Sequence, residues 1–438
     1  MDYPVGFLGM RGTGDWPTTG ARPENWREMI LRLYPNGAAP LTAIMSKLSS
    51  EKTTDPTFHW FQKILPKQRA TITGIYTDAG LGNLYVNNGA LGNTVYMKMS
   101  AADAGQFMSS HQILIRNSAN LTVAVGGLTD VNAKITAVVL NGANSYLVCT
   151  LLQADATGPN GAASALATAD VAYVIGTVNP EGGNAPSSLL YDPNEYNNYT
   201  QIFKNALEHT RTAMKTRLRT GDQVAEARRE ALELHSIEME KAFIFGVKTL
   251  RVGSNGKPER TTAGLRSFLS SNVNDYKTYM GVGVAPGAPG ATPWILGGEA
   301  FLDDTLESIF RYGTGEKLCL CGSGAIQGIN RIAKAKGQFW LSEKTQSYGI
   351  KVLEWVTAFG SLNLKSHPLF TYEPTLRNSM LVVEPRYLKF RYIDDTMYKP
   401  EVQAPDLDGE LSQYITEGGH ELNFEQANGW YDNVGLDR

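Results

Sequence analysis

The feature that most constrains this chain is a run from Asp222 to Phe245 that holds no glycine or proline and ends at Gly246. Such a run leaves helical hydrogen bonding uninterrupted, and a glycine directly after it is a stop signal. Thr220 and Gln223 have capping-box spacing, in which the hydroxyl accepts from the third helical N–H and the amide reaches back. Asp222 and Glu226 put negative charge where the helix dipole favours it. Val224, Ala227, Ala231, Leu234, Ala242 and Phe245 keep a helical period, broken once by Glu238, while Leu232, Met239 and Phe243 form an adjacent stripe. The spacing predicts a rod of roughly 35 Å at 1.5 Å per residue. By itself the rod suits a surface helix of any α/β protein.

Its surroundings narrow the field. The 438 residues allow roughly two or three domains. Only 19% of them are Asp, Glu, Lys or Arg, against about 25% in typical soluble domains. A chain of this size with so few charges is expected to hide surface against partners. Its net charge of −3 lacks the concentrated Lys and Arg of a phosphate binder, so contact with DNA is expected to be weak and diffuse. Cys149, Cys319 and Cys321 cannot build a disulfide framework, and the Cys-x-Cys spacing of the last two suits no unstrained bridge. That points to synthesis in a reducing compartment. Met1, Asp2, Tyr3 and Pro4 lack the basic region of a signal peptide. No apolar stretch reaches the roughly 18 residues of a membrane span, and the chain is expected to be cytosolic when made. Its Gly- and Pro-rich beginning is expected to be tied down by neighbouring subunits and to escape proteolytic trimming.

Residues 1–65 hold a loop with Asp15, Trp16 and Pro17, then a short amphipathic helix with Trp26, Ile30 and Leu33 on one face, too small to make a core alone. A β-branched strand is expected at 71–76 and a Gly/Asn-rich loop at 79–93. Residues 94–180 differ in character. Short apolar runs at 94–99, 112–116, 121–125, 133–140, 146–152 and 171–175 are separated by turn residues such as Asn141 and Gly142. That spacing predicts a small inserted β-sandwich or barrel, followed by a flexible return at 179–198, an approach at 199–203 and a basic stretch at 211–219. Beyond the rod, a Gly/Pro/Ala-rich connection at 281–293 marks a boundary. A mixed α/β unit follows, with helices at about 299–312 and 325–335 and strands at 317–321, 339–341, 350–356 and 361–365. The chain is expected to close through 380–383, 387–393, a turn at 406–409, a strand at 413–416 and a short element at 421–424.

Several phrases imitate catalytic motifs. Gly322, Gly324 and Gly328 stand where a dinucleotide fingerprint would, between a strand and a helix, but their G-x-G-x-x-x-G spacing and the position of Glu343 favour a tight turn. Gly313, Gly315 and Lys317 lack the spacing and the hydroxyl residue of a P-loop. His59, His111, His209, His235, His367 and His420 form no metal-binding spacing and no recognisable triad. Asp406 and Asp408 lack the later ligands of an EF-hand. Asp394 and Asp395, adjacent in a strand, point to opposite faces. No catalytic, cofactor-binding or metal-binding residue is expected, and no cofactor.

Arg260, Thr261, Thr262, Ala263, Gly264, Leu265, Arg266, Ser267 and Phe268 follow the rod. Later come Gly349 and Ile350, Thr357 to Gly360, Leu362 to Pro368, and Asp406 to Gly409. In this order they resemble phrases of the tailed-bacteriophage major capsid proteins, whose Hong Kong 97-like fold is shared with herpesvirus capsid floors and encapsulins. The resemblance covers roughly residues 200–425, and the amino-terminal arm by layout only.

The resemblance implies an α+β fold with an N-terminal arm at 1–65 and an extended loop at 66–220 that carries the β-domain at about 94–180. It implies a peripheral domain at 221–294 and 381–438 with its spine helix at 222–246, and an axial domain at 295–380. It further implies self-assembly through hexamers and pentamers into an icosahedral head around double-stranded DNA, with portal, scaffold and decoration proteins as partners and the virion as location. The motif arginines are then structural or intersubunit contacts. An encapsulin-like compartment and a nucleotide-dependent α/β enzyme are the alternatives.

Overall fold

In the strands Thr94–Met99, His111–Arg116 and Ser145–Leu151 every second side chain is buried, the period of a sheet with one covered face. Such strands build the smaller of two units in this computed structural model, Phe61–Asn194. Residues 50–86, 89–118, 130–155, 166–183, 186, 188–216, 222–280, 292–336, 342–345 and 351–436 are described. The expected strands at 121–125 and 339–341 and all of 1–49, most of the expected arm, lie outside them.

The unit's seven strands run in the order Arg69–Thr71, Val171–Thr177, His111–Arg116, Asp130–Val139, Ser145–Leu151, Thr94–Met99 and Gly74–Tyr76. The first and last are two residues apart in the chain. Ile72 N–H donates to Asp170 O at 2.7 Å on one side, and Thr73 N–H donates to Lys98 O at 2.9 Å on the other. The sheet therefore closes on itself as a barrel, filled by Val95, Met97, Ile113, Ile115, Ile135, Leu147 and their neighbours.

Among the described residues the larger unit, Met1–Trp60 with Glu195–Arg438, holds two sheets of four or more strands besides shorter strand pairs. One has four strands in the order Ser50–Lys52, Leu388–Lys399, Gly409–Leu422 and Gln201–Thr210. Its two long central strands replace the short pieces expected at 387–393, 413–416 and 421–424. The outer half of Leu388–Lys399 is polar and mostly exposed, and that of Gly409–Leu422 is polar and mostly half-buried, so hydropathy hides their length. Register shifts at Tyr392, Asp394 and Met397 bend the pair, which also breaks the simple alternation expected of Asp394 and Asp395. Residues 194–198, expected in a flexible return, belong to the strand Asn194–Tyr199, which pairs with Thr57–Gln62.

The long helix runs Gln223–Phe245 and packs on Gln201–Thr210. Its N-cap is Asp222, whose carboxylate accepts from Val224 N–H at 2.9 Å and Ala225 N–H at 3.4 Å, whereas the expected cap Thr220 lies outside the described residues. The buried face is Ala231, His235, Met239, Glu240, Phe243 and Ile244. Leu234 and Phe245 from the expected stripe are exposed, and so is Leu232. Polar His235 and Glu240 take core positions because each meets a polar partner from another element, which a hydropathy period cannot register.

The second sheet has seven strands: Val273–Asp275, Gly429–Asp432, Met380–Val383, Glu316–Cys321, Ser361–Ser366, Lys351–Val356 and Ser342–Thr345. Helices Trp294–Phe310 and Ser323–Lys336 pack on each other beside it. The first begins five residues earlier than expected, with Gly297 and Gly298 buried in its opening turns.

Candidate assembly site at the foot of the long helix

The helix ends against the motif that follows it. Gly246 N–H donates to Ala242 O at 2.8 Å, and Gly264 N–H donates to Gly246 O at 2.7 Å. A Cβ on Gly264 would lie 2.7 Å from Ile244 O, so only glycine permits this approach. Asn198 ties the motif to the four-stranded sheet. Its amide nitrogen donates to Thr262 Oγ1 at 3.0 Å and His420 O at 2.8 Å, while its Oδ1 accepts from Ala263 N–H at 2.9 Å. Thr261 Oγ1 donates to Val247 O at 2.5 Å. Arg266 stacks over Trp430 at 5.7 Å. Arg260 belongs to an exposed hairpin, Thr249–Val252 with Pro258–Thr261, and lines a groove of about 380 Å³ with Ile202, Pro258 and Glu417. Leu250 and Val252 of that hairpin are 56% and 76% exposed.

Beneath the motif lies His420, fully buried between the edges of Phe243 and Phe268, with ring centroids 5.5 and 5.6 Å away. Neither ring nitrogen has a hydrogen-bond partner among the described residues. Burial drives its pKa down to about 3, so the ring is neutral at physiological pH. His235 sits between Asn205 at 2.5 Å and Thr416 at 2.7 Å, and burial lowers its pKa as well. His367 contacts Glu240 at 3.0 Å in full burial. These histidines lock helix to sheet.

The two phrases that imitate nucleotide sites are filled from within. Gly324 N–H and Ala325 N–H, at the start of the helix after the glycine turn, donate to Arg377 O at 3.0 and 3.3 Å. A Cβ on Gly324 would stand 2.8 Å from Asn378 Oδ1. The Gly324 and Ala325 amides that would cradle a phosphate are thus occupied by the Arg377 carbonyl. In the other phrase, Thr314 N–H and Oγ1 bind the Glu384 carboxylate at 3.1 and 2.9 Å, and Lys317 Nζ reaches it at 2.8 Å. Lys317 and Glu384 are both almost wholly buried. Burial lowers the Lys317 pKa, and the Glu384 charge opposes that shift. The loop is an anion cradle whose anion is the protein's own carboxylate.

Asn198 and Glu384 carry much of this geometry, and neither was singled out by sequence reasoning. Their partners stand 64 to 222 and 67 to 70 residues away, so no local spacing announces them. Among the described residues no group of three or more His, Cys, Asp or Glu could hold a metal ion, and no helix is long and apolar enough to cross a membrane.

The phrases at 260–268, 313–317 and 322–328 thus make contacts within the chain. The chain's class is the bacteriophage major capsid protein, as the motifs implied. The chain belongs to the SU10 major capsid protein family, whose model matches residues 10–435. It is 27% identical over 378 residues to the major capsid protein of Pseudomonas phage PaMx41, covering 85% of this chain and 79% of that one. Among solved structures it overlaps the capsid of Myoviridae phage XM1 at 8% identity and a TM-score of 0.40, over 94% of this chain and 97% of that one. It overlaps an encapsulin of Synechococcus elongatus PCC 7942 at 14% identity and a TM-score of 0.38, over 57% of this chain and 78% of that one.

Proposed function

We propose that copies of this chain close, through hexamers and pentamers, into an icosahedral head around double-stranded DNA, with no catalytic role. The observation that carries the reading is exposed apolar surface in an already well-cored chain: Leu296 is 72% exposed, Val252 76% and Tyr372 80%. Leu250, 56% exposed, lies two residues from Val252 on the same face of the strand Thr249–Val252, and apolar side chains clustered in water in this way suit burial against other copies. Residues 1–65 then act as an arm, 66–220 as an extended loop with its β-domain, 221–294 with 381–438 as the peripheral domain, and 295–380 as the axial domain. Each contact buries modest area, and many weak contacts per subunit make release of one depend on loss of several. Portal, scaffold and decoration proteins are further partners, DNA contact is weak and diffuse, and synthesis occurs in the host cytoplasm. Electron microscopy of the purified protein tests this reading: closed shells are expected, and small soluble oligomers alone would overturn it. Cargo enzyme in place of DNA in particles from infected cells would favour a compartment.

A further inference from the structure

Gln201–Thr210 is the last strand of its sheet, and its hydrogen bonding can be read residue by residue. Arg211 N–H donates to Asp408 O, which makes the odd-numbered residues those that bond to Gly409–Leu422. Two further bonds agree. Thr200 N–H points away and donates to Pro56 O, while the Leu411 carbonyl, opposite Glu208, turns away to accept from Val402 N–H. The backbone groups of Ile202, Lys204, Ala206 and Glu208 therefore face outward, and among the described residues none of them has a backbone partner. All four side chains are exposed, whereas Phe203 and Leu207 on the opposite face are buried.

A free edge this long is a template for another strand, and its sequence selects which one. Lys204 precedes Ala206 by two residues and Glu208 follows it by two. A second copy laid antiparallel, with the two Ala206 residues opposite each other, sets each Lys204 across from the other copy's Glu208. The outward groups of all three pairs then bond across the junction. Opposite charges directly across a sheet attract and like charges repel. Centring the pair on 204 or 208 instead would oppose Lys to Lys or Glu to Glu.

We propose that two copies join edge to edge along residues 202–210, in a two-fold antiparallel contact centred on Ala206. The proposal supplies one symmetric contact for the assembly under "Proposed function" and rests on that reading.

The test is Ala206→Cys. Hydrogen-bonded antiparallel partners have Cα atoms about 5.5 Å apart, inside the disulfide range, and the native Cys149, Cys319 and Cys321 are buried. Mild oxidation of the assembled variant with diamide is expected to give dimers on a non-reducing gel, with peptide mapping showing position 206 of one copy joined to position 206 of a second. Lys204→Glu and Glu208→Lys are each expected to weaken the contact by about tenfold, since two ion pairs become repulsive. The double exchange K204E/E208K restores the charge pairing and is expected to recover the contact. Shells that form without self-linkage at position 206, linkage to a different segment, or a double exchange that recovers nothing would each overturn the proposal and leave the shell reading standing. Self-linked dimers with no shells would do the reverse.

Discussion

The barrel and the helix-on-sheet layer solve the same problem by different means. The barrel closes its sheet, so it has no long free edge, and it is filled mainly by apolar side chains, with few buried polar groups such as Tyr85 and its partner Asp155. The helix layer leaves its sheet open at Gln201–Thr210 and buries His235, Glu240, Thr416, His420 and Asn198. Apolar contacts are non-directional, so a barrel needs little beyond alternation and volume. Buried polar pairs work only in one arrangement, since an unmade bond costs more than a made one returns. The layer thus fixes its helix, sheet and motif in a single register while keeping an edge free. Closure suits an insertion, and an open, closely registered layer suits a unit that must join others.

The sharpest way to break this contrast is to remove a polar partner in the unit that holds the helix layer, whose seven-stranded sheet carries the buried pair Lys317 and Glu384. Lys317→Met leaves Glu384 buried with Thr314 as its remaining clasp. Loss of one partner of a buried pair costs about 3–5 kcal/mol. Hydrogen exchange of the unassembled subunit is expected to rise at Glu316–Cys321 and Met380–Val383 while the barrel strands keep their protection. Equal loss of protection in both units would mean that they do not differ in how they are held.

The contrast also explains what could be read in advance. The barrel strands near 94–99, 112–116 and 146–152 were legible because burial alternates with the residues themselves. The long helix was legible from its uninterrupted run, and the glycine turn at 322–328 from its spacing. Its buried face was not, because His235 and Glu240 become core residues only through Thr416 and His367. The Leu388–Lys399 and Gly409–Leu422 pair read as fragments because its outer half is polar. At the helix foot the motif was legible as a phrase, but its clasp Asn198 was hidden in a stretch that reads as a loop.

Acid gives a second and smaller test. His420 has an ordinary pKa near 6.5 in the unfolded chain and about 3 when folded. The unfolded chain therefore takes up the proton first. Stability from the neutral ring is complete above about pH 6.5 and is lost as pH falls toward 3, amounting to about 2 kcal/mol by pH 5. His235 shifts in the same direction. Urea unfolding of the unassembled subunit at pH 7 and 5 is expected to show this loss, and His420→Phe to remove most of it. An unchanged pH slope in that variant would assign the acid sensitivity elsewhere. In the barrel, Ile115→Val removes one methylene from a fully buried site. Its cost of about 1 kcal/mol should be independent of pH over the same range; a pH-dependent cost would tie the barrel core to the polar network.

The smallest effect separates the two signals at the start of the long helix. Asp222 holds the first amides through its carboxylate and also places a negative charge at the positive end of the dipole. Asp222→Ala removes both and is expected to cost about 1 kcal/mol in urea unfolding. Asp222→Asn keeps a capping oxygen without the charge, so it should cost less, and added salt should narrow the gap between Asp and Asn by screening the dipole term. If Asp222→Ala costs nothing, the helix start is held by something other than this cap, and the capping-box pair Thr220 and Gln223 becomes the first alternative, tested by Thr220→Ala in the same assay.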